Sequence, residues 1–427
     1  MLTLYRLLTL PAWLLLVTAA RLLPRVRENL AARRGWARRL RGELAALPPE
    51  RRHPVWIHCA SMGEFEAIRP LARALRDRGL GVALSFFSTS GPRHLKGEVE
   101  ADLVCYLPFD TPWAARRFQA LLQPALGIVT KHDLWPNHLI EARRRGVPLW
   151  FVNANFHPRS WLASPLLRPF LRRLLPHFEW IATVSPAMAG RFRDLLRDLP
   201  VQVEAPGDSR FDRVVERARE SRAAERLPAA FRAGPLLVAG STWEPDEQLL
   251  LPAFAALHHR HPELRLLLVP HEPRPPQLER LERQLAELGL EALRLGALEE
   301  GTAYAGQPVL IVDQVGLLAG LYAGASAAWV GGGFTTGVHS VIEPAAFGLP
   351  VLFGPRHHVS QEAQDLLACG GAAELRGPED AVAWLDRLFD DGEARRAMGR
   401  AAATLVAGRT GATALLVERA LRRLRST

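Results

Sequence analysis

Four short stretches gather the residues whose types and spacing could do chemistry. The first is His58-Cys59-Ala60-Ser61-Met62-Gly63-Glu64-Phe65-Glu66. Gly63 permits a tight turn, and Glu64 follows at the start of a helical pattern. A carboxylate there can act as a general base, or it can simply favour the positive end of the helix. The second is Thr130-Lys131-His132-Asp133-Leu134-Trp135-Pro136-Asn137. Four polar side chains exceed what a turn needs, although Asp133 could serve as an N-cap. The third is Ala239-Gly240-Ser241-Thr242-Trp243-Glu244. Two hydroxyls and the backbone N–H groups of a helix start suit a phosphate, and Ser-x-x-Glu also reads as a capping box. The fourth and longest runs from Gly331 to Val351. Its glycines, Gly331, Gly332 and Gly333, let a ligand approach the backbone closely. Glu343 lies about one turn into the helix that follows, where an acid can accept both ribose hydroxyls of a nucleotide.

Several chemistries are excluded. Neither lysine, Lys96 or Lys131, is followed by Ser or Thr, so there is no phosphate-binding P-loop. Gly331–Gly333 with Gly337 does not form G-x-G-x-x-G, and no serine sits in G-x-S-x-G. Cys59, Cys105 and Cys369 are far apart, which disfavours a disulfide framework or a cysteine zinc site. His258, His259 and His261 cluster before Pro262, where a charged helix end in solvent accounts for them.

These stretches need elements to position them. Apolar runs of strand length alternate with helical stretches, the rhythm of parallel βαβ units. Strands are expected at 55–60, 82–87, 103–107, 126–130, 149–152 and 180–184, with a helix over 64–78. A charged segment over 200–232 reads as a linker. The rhythm restarts with strands at 236–239, 264–269, 309–312, 327–330 and 351–353. The expected architecture is α/β, two Rossmann-like doubly wound domains facing a cleft. The boundaries fall at 1–42 (an apolar helix and basic arm), 43–215, 216–409 and 410–427 (a C-terminal helix). In such sheets ligands bind at the carboxyl ends of the strands, where all four stretches lie.

The chain has 427 residues and a formal charge of +10. Residues 1–42 hold nine arginines and one acid, Glu28, which leaves +2 for the remainder. A nearly neutral body disfavours a nucleic-acid partner. Leu7 to Ala20 is uncharged and apolar, and eight arginines between Arg21 and Arg41 follow it. That order favours a retained anchor, with the arginines on the cytoplasmic side against anionic lipids.

The motifs together resemble the lipid A Kdo transferases (3-deoxy-D-manno-octulosonic acid transferases) of the GT-B glycosyltransferase class. They are Ser-Met-Gly-Glu at 61–64, Asp-Leu-Trp-Pro-Asn at 133–137, Asn-Ala-Asn at 153–155, Gly-Asp-Ser-Arg-Phe-Asp at 207–212, Ala-Gly-Ser-Thr at 239–242 and His-Ser-Val-Ile-Glu-Pro at 339–344. The resemblance runs from the N-terminal segment to about residue 405. It implies transfer of Kdo from CMP-Kdo to lipid IVA at the cytoplasmic face of the inner membrane, by inversion and without a metal or other cofactor. It implies Glu64 as general base, with Asp133 standing where many members have glutamate. It gives Ser241 and Thr242 to the donor phosphate, Glu343 to the ribose, and Gly332, Gly333 and Ser340 to the same nucleotide. Ser61 and Lys131 fall to the acceptor side; Arg93, in Ser88-x-Ser90-Gly91-Pro92-Arg93, is a candidate for an anionic group on acceptor or donor, since an arginine offers bidentate recognition. This chain has Val269-Pro270-His271-Glu272 where many members have Val-Pro-Arg-His, so the arginine's role passes to His271 or Arg274. Ser340 replaces the usual Asn and Asn155 a frequent Arg. The alternative is another GT-B enzyme, a UDP-GlcNAc-using lipid glycosyltransferase or a UDP-GlcNAc 2-epimerase.

Overall fold

The computed structural model describes residues 1–20, 22–88, 95, 100–131, 133–156 and 164–425. The chain divides into two compact units, Met1–Arg213 with Thr410–Thr427, and Val214–Arg409. Each is built on a seven-stranded sheet whose strand pairs are parallel.

In the first unit the strands are β1 (Val55–Cys59), β2 (Val82–Phe86), β3 (Leu103–Tyr106), β4 (Leu126–Thr130), β5 (Leu149–Ala154), β6 (Trp180–Thr183) and β7 (Gln202–Glu204). Their order is β3-β2-β1-β4-β5-β6-β7. In the second they are β8 (Leu236–Thr242), β9 (Arg265–Pro270), β10 (Ala292–Arg294), β11 (Val309–Ile311), β12 (Ala327–Val330), β13 (Val351–Phe353) and β14 (Ala372–Glu374), in the order β10-β11-β9-β8-β12-β13-β14. Central strands such as β1, β4 and β5 are buried along their whole length. They therefore read as continuous apolar runs, as strands covered on both faces do. The expected strands are all present. Three more, β7, β10 and β14, are three-residue strands at sheet edges, too short to give a periodic signal. β7 and the helix Ser209–Glu220 occupy the segment read as a linker, so that segment is ordered.

Strand order reverses direction between β1 and β4 in one sheet and between β8 and β12 in the other. Crevices at such switch points are where open α/β sheets bind ligands. The first two chemical stretches follow β1 and β4, and the last two follow β8 and β12.

The C-terminal helix Ala412–Arg425 returns to the first unit. Asp212 accepts hydrogen bonds from the backbone N–H of Gly411 (2.6 Å) and Thr413 (2.7 Å) at its start. Leu416, Val417 and Ala420 pack into the core beside Phe65, Ile68 and Leu71 of the helix Met62–Arg76.

The N-terminal helix Leu2–Ala19 has no buried residue and exposes Leu4, Leu7, Leu8, Leu10, Leu14 and Leu15. Its other side is pinned to the first unit. The Tyr5 hydroxyl donates to Asp110 (2.8 Å), and Arg6 pairs with Glu141 (3.0 Å). Trp13 meets Trp113 edge-on at 6.0 Å. Among the arginines that follow, Arg27, Arg34, Arg38, Arg39 and Arg41 are exposed. Arg33 differs from the expectation of a lipid-facing charge. It is buried, donates to the carbonyls of Leu107 (2.8 Å) and Phe87, and lies against the rings of Phe87, Tyr106 and Phe109. Burial lowers its pKa to about 10.

Asp110 also accepts from the backbone N–H of Asn137 (3.1 Å) and His138 (3.0 Å), capping the helix Pro136–Arg144. Burial is the dominant influence and raises its pKa from 3.8 to about 6, against the lowering effect of these donors. A carboxyl whose pKa rises on folding holds its proton more tightly when folded. Its contribution to stability is complete below about pH 3.8 and is lost as pH rises through about 6. Relative to Asp110→Asn, wild type should therefore gain on the order of 1–3 kcal/mol as pH falls from 7 to 4. Thermal melts of both proteins across that range test this; a gap that stays constant with pH contradicts it.

Candidate active site

At the first switch point the local chemistry is a set of fixed hydrogen bonds. Glu64 is the third residue of the helix Met62–Arg76, after Ser61 in extended conformation at the N-cap. Its Oε2 accepts from the Ala60 backbone N–H (2.8 Å) and from the Thr130 hydroxyl (3.0 Å). It thus satisfies a helix-start donor and bridges to the end of β4. Both bonds fall on one oxygen, so Oε1 keeps its lone pairs for another partner. The two readings of Glu64, helix capping and chemistry, use different oxygens of one carboxylate.

Asp133 does not cap the helix after it; Asp110 does that. Asp133 accepts instead from His58 Nε2 (2.8 Å). Behind it runs a buried relay: the Trp56 indole donates to Ser85 Oγ (2.8 Å), and Ser85 Oγ lies 2.9 Å from His58 Nδ1. The Ser85 carbonyl also lies 3.1 Å from His58 Nδ1, so the ring is held at both nitrogens with Nε2 turned toward Asp133. Lys131, at the end of β4, has a φ of +52°.

Three of the four non-glycine residues with positive φ among the described residues lie at the carboxyl ends of strands: Lys131, Asn153 and Ser241. The fourth, Gln123, ends the helix Pro112–Leu122. Asn153 is buried and bonds Ser209 (2.7 Å), whose hydroxyl donates to the Ala67 carbonyl (2.6 Å). This ties the Gly-Asp-Ser-Arg-Phe-Asp stretch to the helix that carries Glu64.

At the second switch point the arrangement departs from the sequence reading in three respects. First, Thr242 does not face a phosphate. It is fully buried, and its hydroxyl donates to Glu247 (2.8 Å), itself paired with Arg280. Second, Ser241-x-x-Glu244 is not the capping box. The helix Glu244–Arg260 starts after Trp243, and Asp246 accepts from the Trp243 N–H (2.9 Å). Third, the glycines of the loop after β12 are demanded by its own backbone. A Cβ on Gly331 would stand 2.2 Å from the Ser241 carbonyl oxygen, on Gly332 2.3 Å from that of Gly337, and on Gly333 2.4 Å from the Gly354 nitrogen.

Asp246, which the sequence reading missed, joins the two loops: its Oδ2 also accepts from the Gly332 N–H (2.9 Å). Burial raises its pKa against these donors. His271 is exposed and stacks at 4.4 Å on His339 and at 4.7 Å on Trp243. Arg274 is exposed at the N-cap of the helix Pro275–Glu287 and pairs with Glu272 (3.0 Å), so of the two candidates the structure brings only His271 to the loops. Ser340 is exposed and Glu343 half-buried in the short helix Ile342–Ala346. Arg93 lies outside the described residues. Among the described residues no group of three or more His, Cys, Asp or Glu could hold a metal ion. His261 pairs with Asp390 (2.7 Å) and His258 bonds the Leu264 carbonyl (3.1 Å), so the histidine cluster closes a helix end.

Comparison with known proteins bears on this geometry. Residues 28–213 match the family described as 3-deoxy-D-manno-octulosonic-acid transferase (kdotransferase). The chain is 30% identical over 376 residues to the 3-deoxy-D-manno-octulosonic acid transferase of Bordetella pertussis, covering 84% of this chain and 85% of the relative. It is 27% identical to that of Haemophilus influenzae, covering 92% and 91%. Among solved structures, the UDP-GlcNAc 2-epimerase of Neisseria meningitidis bound to UDP-GlcNAc superposes with a TM-score of 0.63 at 14% identity, over 86% of this chain and all of that one. A glycosyltransferase from Rickettsia africae gives 0.56 at 12% identity, over 87% and 98%. At such identities these two show the fold, the GT-B type, and nothing of the substrate.

Ser241 holds φ at +54°, a conformation that costs a non-glycine residue about 1–3 kcal/mol. Ser241→Gly should therefore melt higher, by about 1 kcal/mol once the glycine's greater unfolded-state entropy is deducted. Ser241→Ala should not. A lower melting temperature for the glycine variant would mean that the serine hydroxyl itself stabilises the turn.

Proposed function

The chain belongs to the Kdo transferase family, and from that premise we propose that it moves Kdo from CMP-Kdo to lipid IVA by an inverting displacement with Glu64 as general base. At the coarser level it is a glycosyltransferase, a Kdo transferase of lipopolysaccharide biosynthesis. The observation that carries the finer reading is the Glu64 carboxylate, fixed at the switch point through Oε2 with Oε1 left for a substrate proton.

In this mechanism Oε1 takes the proton of the acceptor hydroxyl. The freed oxygen attacks the anomeric carbon of Kdo from the face opposite CMP. The bond to the phosphate oxygen breaks, and CMP leaves with its electron pair. Thr130 and the Ala60 N–H keep the carboxylate from rotating, so its position is set before substrate arrives. Asp133, oriented by His58, supplies a second negative centre. Ser61, Lys131 and Arg93 are assigned to the acceptor. Ser241, His271, Gly332, Gly333, Ser340 and Glu343 are assigned to the donor, His271 rather than Arg274 taking the arginine's place, and Thr242 supports Ser241 from within. No step needs a metal.

The apolar N-terminal helix supports a membrane location at the cytoplasmic face of the inner membrane. Tyr5, Arg6 and Trp13 all bind the first unit from one side of this helix. That favours a helix lying in the interface, with its leucine face in lipid, over one that crosses it.

Two experiments test the reading. Purified protein given lipid IVA and CMP-Kdo formed in situ should yield lipid IVA heavier by Kdo. Glu64→Gln should lose about 10²–10⁴ of that rate while keeping CMP affinity. No product from wild type overturns the substrate pair, and an active Glu64→Gln overturns the base. Separately, deletion of residues 1–24 should release the protein from anionic vesicles in high salt, measured by sedimentation, with CMP binding retained. Continued sedimentation in high salt would assign the anchor to another surface.

A further inference from the structure

The donor reading leaves one constellation unused. Trp243, His271 and His339 come from three separate loops, after β8, β9 and β12. They form one stack: Trp243 and His271 are 30° from coplanar and His271 and His339 are 16° from coplanar. The Trp243 indole N–H lies 3.0 Å from His339 Nε2. His339 covers the glycine loop so closely that a Cβ on Gly332 would stand 2.9 Å from its Cδ2. Neither Trp243 nor His339 was assigned a task above.

An indole nitrogen can only donate. His339 Nε2 must therefore be unprotonated, and a neutral imidazole then carries its proton on Nδ1. Among the described residues no acceptor is bonded to that Nδ1, and it is not among the buried polar atoms lacking a partner. It is an open donor, half-buried, above the loop at the switch point of the second sheet.

We propose that Trp243 is a positioning residue that locks His339 as a neutral Nδ1–H donor for an oxyanion of the nucleotide, the phosphate of CMP. The proposal rests on the reading that the second unit binds CMP-Kdo. Two features of the surroundings keep the ring neutral. Protonation at Nε2 would break the bond to Trp243, and burial lowers the His339 pKa, with the neighbouring His271 adding to the effect. Asp246 is also held at this junction; its Oδ2 accepts from the Trp243 and Gly332 N–H groups, while its Oδ1 is buried without a hydrogen-bond partner. A neutral donor differs from a cation in kind. It binds the phosphate in the ground state and lets the phosphate leave without a salt bridge to break.

The test is Trp243→Phe, which removes the N–H donor together with part of the indole ring but keeps an aromatic ring in the stack, so the pH dependence and the tautomer signal, not the loss of affinity alone, read the lock. Long-range proton–nitrogen spectra of the full chain without ligand, with His339→Gln to assign the signal, should show the Nδ1–H form in wild type. Trp243→Phe should show a mixture. CMP titrations by calorimetry should show the variant weaker by about three- to tenfold at pH 8, the worth of one hydrogen bond. Freed of the indole, His339 should titrate nearer the ordinary value of about 6.5. Its charge then attracts the phosphate, so the ratio of variant to wild-type Kd should shrink as pH falls to 5.5. An Nε2–H signal in wild type overturns the lock. A ratio of one, or a ratio independent of pH, shows that Trp243 only packs and overturns the proposal. Failure of wild type to bind CMP at all overturns the donor reading, and with it the phosphate role. The spectrum without ligand still reads the lock separately.

Discussion

Two buried carboxylates that touch no cation hold this molecule's chemistry in place. Asp246 accepts from the Trp243 and Gly332 backbones, and Asp110 from those of Asn137 and His138 and from the Tyr5 hydroxyl. Parallel strands create the need for them. Where a strand ends and its helix has not begun, several N–H groups have no ladder partner. Each orphaned donor costs about 1–3 kcal/mol when buried. A short acid that reaches across two loops satisfies several at once and fixes their separation. Burial raises both pKa values while the N–H donors pull them down. The position of the Trp243 indole, and with it the state of His339, follows from what Asp246 holds.

The large features were legible in sequence because burial on both faces writes a strand as an unbroken apolar run. Val55–Cys59 and Leu126–Thr130 show this directly. Positions at strand ends were legible too, since polar residues interrupt those runs abruptly. What escaped were features set by distance in space. Asp110 lies 27 residues before Asn137, whose N–H it accepts at the start of the helix it caps. Asp246 lies two residues past the glutamate that matched the capping pattern. The inward turn of Thr242 was not legible because a strand end followed by a helix start does not foresee a bulge. The β8–β9 register shifts between Gly240 and Thr242, and Ser241 takes up the irregularity with a left-handed backbone. That rotation sends the Thr242 hydroxyl inward to Glu247 and leaves Ser241 at the rim.

The glycine loop shows how one sequence feature can rest on a cause other than the expected one. Gly331, Gly332 and Gly333 are required by contacts with Ser241, Gly337 and Gly354. Tight self-packing has a consequence for binding. A loop whose backbone already meets itself has little freedom to lose, so if it takes the nucleotide as proposed, its N–H groups would be pre-oriented in the manner that favours charge stabilisation. Close approach of a ligand and close approach of the chain to itself are compatible demands on the same residues.

The basic arm divides into two parts with different physics. Arg33 is structural: its guanidinium caps the Leu107 and Phe87 carbonyls between three aromatic rings, so the arm is fastened beside the loops after β2 and β3. Arg27, Arg34, Arg38, Arg39 and Arg41 remain exposed. At an anionic surface each contributes about 1 kcal/mol, and that attraction decays within a Debye length. The leucine face of the N-terminal helix adds an apolar contribution that salt does not screen. Under the membrane location proposed above, attachment through both parts would be strong at low salt and persist, weakened, at high salt. Because Tyr5 joins this helix to Asp110, and Asp110 caps the Pro136–Arg144 helix that follows Asp133, the same carboxylate fixes both the N-terminal helix and the loop after β4.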